Sequence, residues 1–205
     1  MRCADRSADA VAGAQERMQT VSDKVWFCKQ RITNACGTVG LLHALINAED
    51  HVGMDGWLKK FAANCRGKDP ETRASILEGD SEVSSGRCGC LLRSQMELRG
   101  ACLVFYAQAC NAAAQLDACQ ADAAEQGQTR PPALDEVVKL HFVTMVQRDG
   151  CLYELDGRKP FPLNLGPSQP GQLLQDAVAV IKSKYMAADP AEVNFNILAL
   201  APNVV

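Results

Sequence analysis

Hydrophobic positions along this chain switch between a spacing of three to four and a spacing of two, which predicts helices and strands in alternation. The apolar run VWFCKQRI at 25–32 reads as a strand, with a short helix over 7–20 ahead of it. Residues 34–48 predict a helix, because Leu41, Leu42, Leu45 and Ile46 form one apolar stripe and Thr33 and Asn34 are capping residue types. Trp57, Leu58 and Phe61 place a second helix over about 54–65, and Asp69-Pro70-Glu71 opens a third with proline at its first position. Downstream, VVKLHFVTMVQRDGCLYEL at 137–155 contains two β-rich runs joined by Asp149-Gly150, the signature of a two-residue hairpin turn. Leu174, Ala177, Val178, Ile181 and Tyr185 predict a helix over 171–186. Val193, Phe195 and Ile197 alternate with Asn194 and Asn196, giving a final strand over about 193–200. The stretch 79–133 is loop-like at both ends, while ACLVFYAQACNAAAQLDAC inside it is apolar enough to form a helix.

Onto this pattern falls one informative cysteine. Cys36 stands six residues after Gln30, in the first turn of the predicted helix. A helix N-terminus carries partial positive charge and unpaired N–H groups, both of which stabilise a thiolate. The Gln30 side-chain amide can donate to an oxyanion formed on a carbonyl that Cys36 attacks. The ordinary alternative is a buried cysteine packed at a helix start. His43 lies in the same helix, off its stripe, and reads as a surface or satisfied core histidine.

The predicted hairpin supplies partners. With Arg148 facing Cys151 across the turn, the residue opposite His141 is Arg158, and Asp156 is the diagonal neighbour of His141 on the same face. Diagonal neighbours lie about 7–8 Å apart along the backbone, within reach of a ring and a carboxylate. Such a carboxylate fixes the imidazole tautomer and leaves the other nitrogen for a nucleophile. A strand histidine that merely caps its own hairpin is the plain alternative, until Cys36 and Gln30 are added to the set.

The strings KQRITNACGTVGLLHALIN and DEVVKLHFVTMVQRDGCLYELDGRKPFPLNLG resemble the ubiquitin carboxyl-terminal hydrolase family of papain-like cysteine peptidases. LKKF, PETRASILE, QGQT and FNILAL add to the likeness, which covers most of 15–79 and 123–202. The resemblance implies hydrolysis at the carboxyl group of ubiquitin's C-terminal glycine. Cys36 would be the nucleophile, His141 the general base, Asp156 its orienting acid and Gln30 the oxyanion donor. It also implies ubiquitin contacts at Gln126, Gly127, Gln128 and Thr129, within a crossover loop over the active site that limits substrates to small or unfolded adducts. A second contact region would be Glu192, Val193, Asn194, Phe195, Asn196 and Ile197. The family places a strand of its central sheet and part of its ubiquitin-binding surface before anything matching Ala14 onward. The chain is therefore expected to be shortened at its front, with an exposed strand edge as the consequence.

Composition narrows the partners. A net charge of −3 and a pI near 5.6 argue against nucleic acid or an anionic membrane held by general electrostatics. Acidic Asp5, Asp9 and Glu16 do not suit a secretory or organellar leader. Among ten cysteines, Cys88, Cys90, Cys102, Cys110 and Cys119 form a cluster without a CxxC pair or an intervening histidine, which is poor zinc spacing. The expectation is one α/β (α+β) domain over 1–205 with a papain-like fold. A central antiparallel sheet is flanked by helices, and 79–133 forms an extended crossover loop or insertion. It needs no metal or organic cofactor, acts as a monomeric thiol-dependent deubiquitinating hydrolase with ubiquitin as partner, and works in the cytoplasm, with the nucleus as a second compartment. Two other readings stay open: a catalytically impaired ubiquitin-binding protein, and a papain-like peptidase for another ubiquitin-like protein.

Overall fold

The computed structural model describes residues 19–32, 35–80, 103–107, 141–192 and 195–200, with the backbone alone at 103–107 and 196. Helices α1 (Cys36–Asn47), α2 (Gly56–Cys65) and α3 (Pro70–Glu78) come first. Strands β1 (Leu103–Ala107), β2 (Val143–Arg148), β3 (Cys151–Leu155) and β4 (Leu163–Pro167) follow. Helix α4 (Leu173–Val180) then runs into a π-helical turn at Ile181–Met186 before β5 (Asn196–Leu200). The strands form one antiparallel sheet in the order β4-β3-β2-β1-β5.

Local chemistry accounts for most of these elements. Asp69 caps α3 by accepting hydrogen bonds from the N–H groups of Glu71 and Thr72, both at 3.0 Å, and Pro70 occupies the first turn, where its missing N–H costs nothing. The β2–β3 turn has positive φ at both Asp149 (46°) and Gly150 (76°), as its hairpin type requires. It puts Arg148 opposite Cys151, the expected register.

Strand alternation divides the core in two. On one face Val146, Tyr153 and Leu155 pack with Phe27, Leu42, Leu45, Leu58, Phe61 and Leu77 beneath α1, α2 and α3. On the other, Val143, Met145 and Leu152 pack against Leu173, Ala177 and Ile181 of α4. Residues one apart along β2 and β3 thus serve opposite layers, so a one-residue slip would exchange both cores at once.

Two expectations are corrected. Residues 25–32 are not a strand, because their N–H groups are taken from outside any ladder. Trp26 N–H donates to Asn47 Oδ1 (2.8 Å), Cys28 N–H to His43 Nε2 (3.1 Å), Lys29 N–H to Pro70 O (3.3 Å) and Gln30 N–H to Gly157 O (2.8 Å). Leu103–Ala107, inside the stretch read as helix-forming, is a strand; Val104 pairs with Met145 of β2 and with Ala199 of β5. The aromatic and β-branched sequence LVFYA suits that position between two neighbours. The predicted helix at 7–20 lies outside the described residues up to 18, while Gln19 and Thr20 are non-helical and hydrogen-bond to Asn164 of β4. Thr33 and Asn34 also lie outside them; the N-cap position of α1 is Ala35, with no side-chain cap.

Candidate active site

Cys36 is the first residue of α1 and is 2% exposed. The first-turn N–H groups of a helix have no acceptor within it, so they and the helix dipole face whatever stands at that end. Strand β2 is pinned to the same helix by Thr144 Oγ1, which donates to Gly40 O at 2.7 Å in a buried contact. That bond, one turn along from Cys36, fixes the approach of the residues leading into β2. The Phe142 ring lies over the first turn of α1, 3.7 Å from where a Cβ on Gly37 would stand, an ordinary contact distance.

His141 precedes β2, and Asp156 follows β3. The hairpin register carries the two together: His141 Nε2 lies 2.6 Å from Asp156 Oδ1, with both side chains largely buried. Asp156 Oδ1 also accepts the Arg158 N–H at 2.9 Å. Burial works against a charge on His141, but its hydrogen bonds to Asp156 and to the Cys36 side chain outweigh burial and raise its pKa to about 9. Burial likewise opposes ionisation of Asp156, and the bonds from His141 and Arg158 reverse this, holding the carboxyl below its usual range. With Nε2 engaged by Asp156, Nδ1 is the ring nitrogen through which His141 can serve a nucleophile.

Cys28 and Cys65 provide the contrast. Both are fully buried, and burial pushes their thiols up to about 12 and about 11. They are inert filling.

Gln30 is seated beside the Asp156 loop by its backbone bond to Gly157. Its Nε2 donates to Ile32 O at 3.1 Å, and its buried Oε1 has no partner. An amide nitrogen carries two hydrogens, so one donor remains for a developing oxyanion.

Sequence reasoning missed how these parts are joined. His43, 0% exposed, hydrogen-bonds the Cys28 backbone through Nε2, stacks on Phe27 at 5.0 Å, and is held neutral by burial with its pKa lowered to about 4. It is a core histidine rather than a surface one, bonded through Nε2 while its buried Nδ1 has no hydrogen-bond partner. Asn47, one turn on, grips both the N–H and the carbonyl of Trp26. Two polar residues spaced i, i+4 in an otherwise apolar helix were the available signal. Glu154, also buried, is clamped by Lys159 (2.8 Å) and Lys184 (2.7 Å), which tie α4's π-turn to the loop after β3.

Among the described residues no group of three or more His, Cys, Asp or Glu is placed to hold a metal ion. The cysteine cluster from Cys88 to Cys119 lies outside them, as do Gln126, Gly127, Gln128, Thr129, Val193 and Asn194. Phe195 packs partly buried against the α4 layer, Ile197 is exposed on β5, and Glu192 lies in the turn before them.

The comparisons with known proteins bear on this arrangement. A sequence model described as "Ubiquitin carboxyl-terminal hydrolase, family 1" matches residues 2–187. This chain belongs to that family. A probable ubiquitin carboxyl-terminal hydrolase of Dictyostelium discoideum is 36% identical over 188 residues, which are 91% of this chain and 60% of the relative. Human ubiquitin carboxyl-terminal hydrolase isozyme L1 is 35% identical over 184 residues, 89% of this chain and 66% of the relative. The chain thus spans less than two thirds of the length of these hydrolases. Among solved structures, the Trichinella spiralis UCH37 catalytic domain bound to ubiquitin vinyl methyl ester is similar with a TM-score of 0.57 and 25% identity. The match covers 93% of this chain and 72% of that one. The family's papain-like fold is therefore the fold of this chain, a mixed α/β architecture built on an antiparallel sheet.

Proposed function

We propose that this chain is a thiol-dependent hydrolase that cleaves small or unfolded adducts from the C-terminal glycine of ubiquitin. The observation that carries the reading is the His141–Asp156 contact at 2.6 Å, held by the hairpin beside a helix whose first residue is Cys36. The relatives named as hydrolases and the ubiquitin ester bound to the UCH37 domain support ubiquitin as the substrate class.

A histidine whose pKa is raised to about 9 is protonated at neutral pH, and an imidazolium beside a thiol favours the thiolate. The resting site is then an ion pair. The sulfur attacks the glycine carbonyl carbon, and the oxyanion is received by the Gln30 side-chain amide and the Cys36 N–H. His141 gives its proton to the leaving amine as the C–N bond breaks, leaving a thioester. Water then attacks the thioester with His141 as base, and the thiol is regenerated. Asp156 holds the ring throughout and stabilises its charged form. We place this activity in a monomer in the cytoplasm or nucleus, where thiols stay reduced.

Ubiquitin bearing a C-terminal vinyl methyl ester is expected to label this chain at Cys36, and Cys36→Ala to abolish labelling while leaving ubiquitin affinity in place. Labelling at full yield on another cysteine in that variant would refute the assignment. Probes built on other ubiquitin-like proteins, run alongside, decide the substrate.

A further inference from the structure

Three parts of the candidate site meet at a residue without a side chain. Gly157 is buried, follows Asp156 directly, and accepts the Gln30 N–H at 2.8 Å. A Cβ at this position would lie 2.9 Å from Gln30 Cβ, 2.9 Å from Val39 Cγ1 and 3.1 Å from Gln30 N. None of these is the far end of a flexible chain: one is a backbone atom, one a side-chain root, and one belongs to a β-branched helix residue with a stiff χ1. Gly157 is absent from the glycines with positive φ, so the demand is for volume rather than for an unusual dihedral.

The walls of this slot are the candidate site itself. Gln30 forms one side. Val39, three residues after Cys36 and on the same face of α1, forms the other. The loop that enters between them carries Asp156, and through it His141. That loop is fastened on both flanks, by Lys29 Nζ to Lys159 O at 2.6 Å and by Lys159 Nζ to Glu154 Oε1 at 2.8 Å. It therefore has little freedom to back away from an added methyl group.

We propose that Gly157 is a positioning residue for the hydrolysis: its missing side chain lets the Asp156 loop seat between Gln30 and α1, and so brings the oxyanion donor and the Cys36–His141 pair to one carbonyl. The inference rests on the functional reading above and adds to it a determinant that touches no substrate.

The test compares Gly157→Ala, Val39→Ala and the double variant in the full chain by two readouts. Iodoacetamide alkylation of Cys36 against pH, read by peptide mapping, reports the ion pair without any ubiquitin. Turnover of ubiquitin carrying a C-terminal fluorogenic amide reports the complete site. Displacement by about 1 Å costs about 10²-fold in rate, so Gly157→Ala is expected to lose about that much in kcat with KM little changed. Alkylation of Cys36 at pH 6 should fall by about tenfold as thiolate is lost. Adding Val39→Ala gives the loop room on the helix side and should recover part of both rates, a rescue that general destabilisation would not show. Wild-type rates in Gly157→Ala, or a double variant no better than it, would overturn the proposal. Should Gly157→Ala fail to fold, the double variant decides: it is expected to fold and to react more slowly than Val39→Ala. Failure to fold, or rates equal to Val39→Ala, overturns the inference. A wild-type chain alkylated as a thiolate but inert toward ubiquitin would defeat the functional reading alone, and the alkylation series would still judge Gly157.

Discussion

The hairpin that carries the candidate site contains the dipeptide Asp-Gly twice, at its tip and at its base, for opposite reasons. At the tip, Asp149 and Gly150 both have positive φ, and a Cβ on Gly150 would meet nothing within 4 Å. That glycine serves a dihedral. At the base, Gly157 has no such φ and sits where a Cβ would press on two walls. The aspartates differ in the same way. Asp149 is exposed and pairs with exposed Lys24 at 2.8 Å, whereas Asp156 is buried and pairs with partly buried His141 at 2.6 Å. Both carboxyls are held below their usual range by hydrogen-bonded partners, yet only the buried one has consequences that solvent does not screen. One local sequence thus makes a turn in one place and joins the parts of the candidate site in the other.

The comparison predicts a graded series of losses. The largest belongs to the base: His141→Ala removes acid and base together and should lower kcat for a ubiquitin C-terminal amide by about 10³–10⁴-fold. Next comes Asp156→Asn, expected to cost roughly 10²-fold because an amide holds the ring without stabilising its charge. Loss of the carboxylate should also lower the His141 pKa from about 9, moving the basic limb of the kcat/KM–pH profile toward neutrality. An unchanged basic limb would mean that the His141–Asp156 contact does not set the ion pair. At the tip, Gly150→Ala should destabilise the fold by about 1–2 kcal/mol through its left-handed φ, seen in urea denaturation, with kcat unaltered. The smallest effect is Asp149→Asn, where melting temperature and kcat should both match wild type. A turnover defect there would erase the distinction between the two ends.

Buried His43 and partly buried His141 extend the contrast to pH. His141, raised to about 9 from an unfolded value of 6.5, contributes stability that is complete below pH 6.5 and disappears as pH rises through 9. His43, lowered to about 4, contributes stability that is present above pH 6.5 and disappears as pH falls through 4. Urea midpoints should therefore be highest near pH 6.5, and His43→Gln should flatten the acid side while leaving the alkaline side unchanged.

What was legible in the sequence is what local chemistry decides. Asp149-Gly150 fixes the turn, the turn fixes the register, and the register delivers Asp156 to His141. Asp69-Pro70 announces α3 with its own cap. The illegible parts depend on partners far along the chain. Residues 25–32 look like a strand by their apolar run, but Asn47 and His43 satisfy the N–H groups of Trp26 and Cys28 that a ladder would need. The run LVFYA suits a strand by its residue types, but it is short and embedded in the apolar, alanine-rich stretch ACLVFYAQACNAAAQLDAC, and β2 and β5 on either side decide the matter. Gly157 gave no sign, because the atoms that exclude a side chain there belong to Gln30 and Val39.

Strand β5 pairs with β1 alone among the described strands, while β1 is also paired to β2 and through it to the two cores. Ile197 and Leu198, neighbours on opposite faces of β5, are both exposed, so packing supplements its ladder chiefly at its end, where Leu200 meets the larger core. The amides of β5 therefore depend on β1 for protection from solvent, and whenever β1 opens, β5 opens with it. In a hydrogen-exchange experiment the two strands should behave as one cooperative unit that exchanges faster than the β2–β3 hairpin, which gives this sheet a soft margin beside a rigid centre.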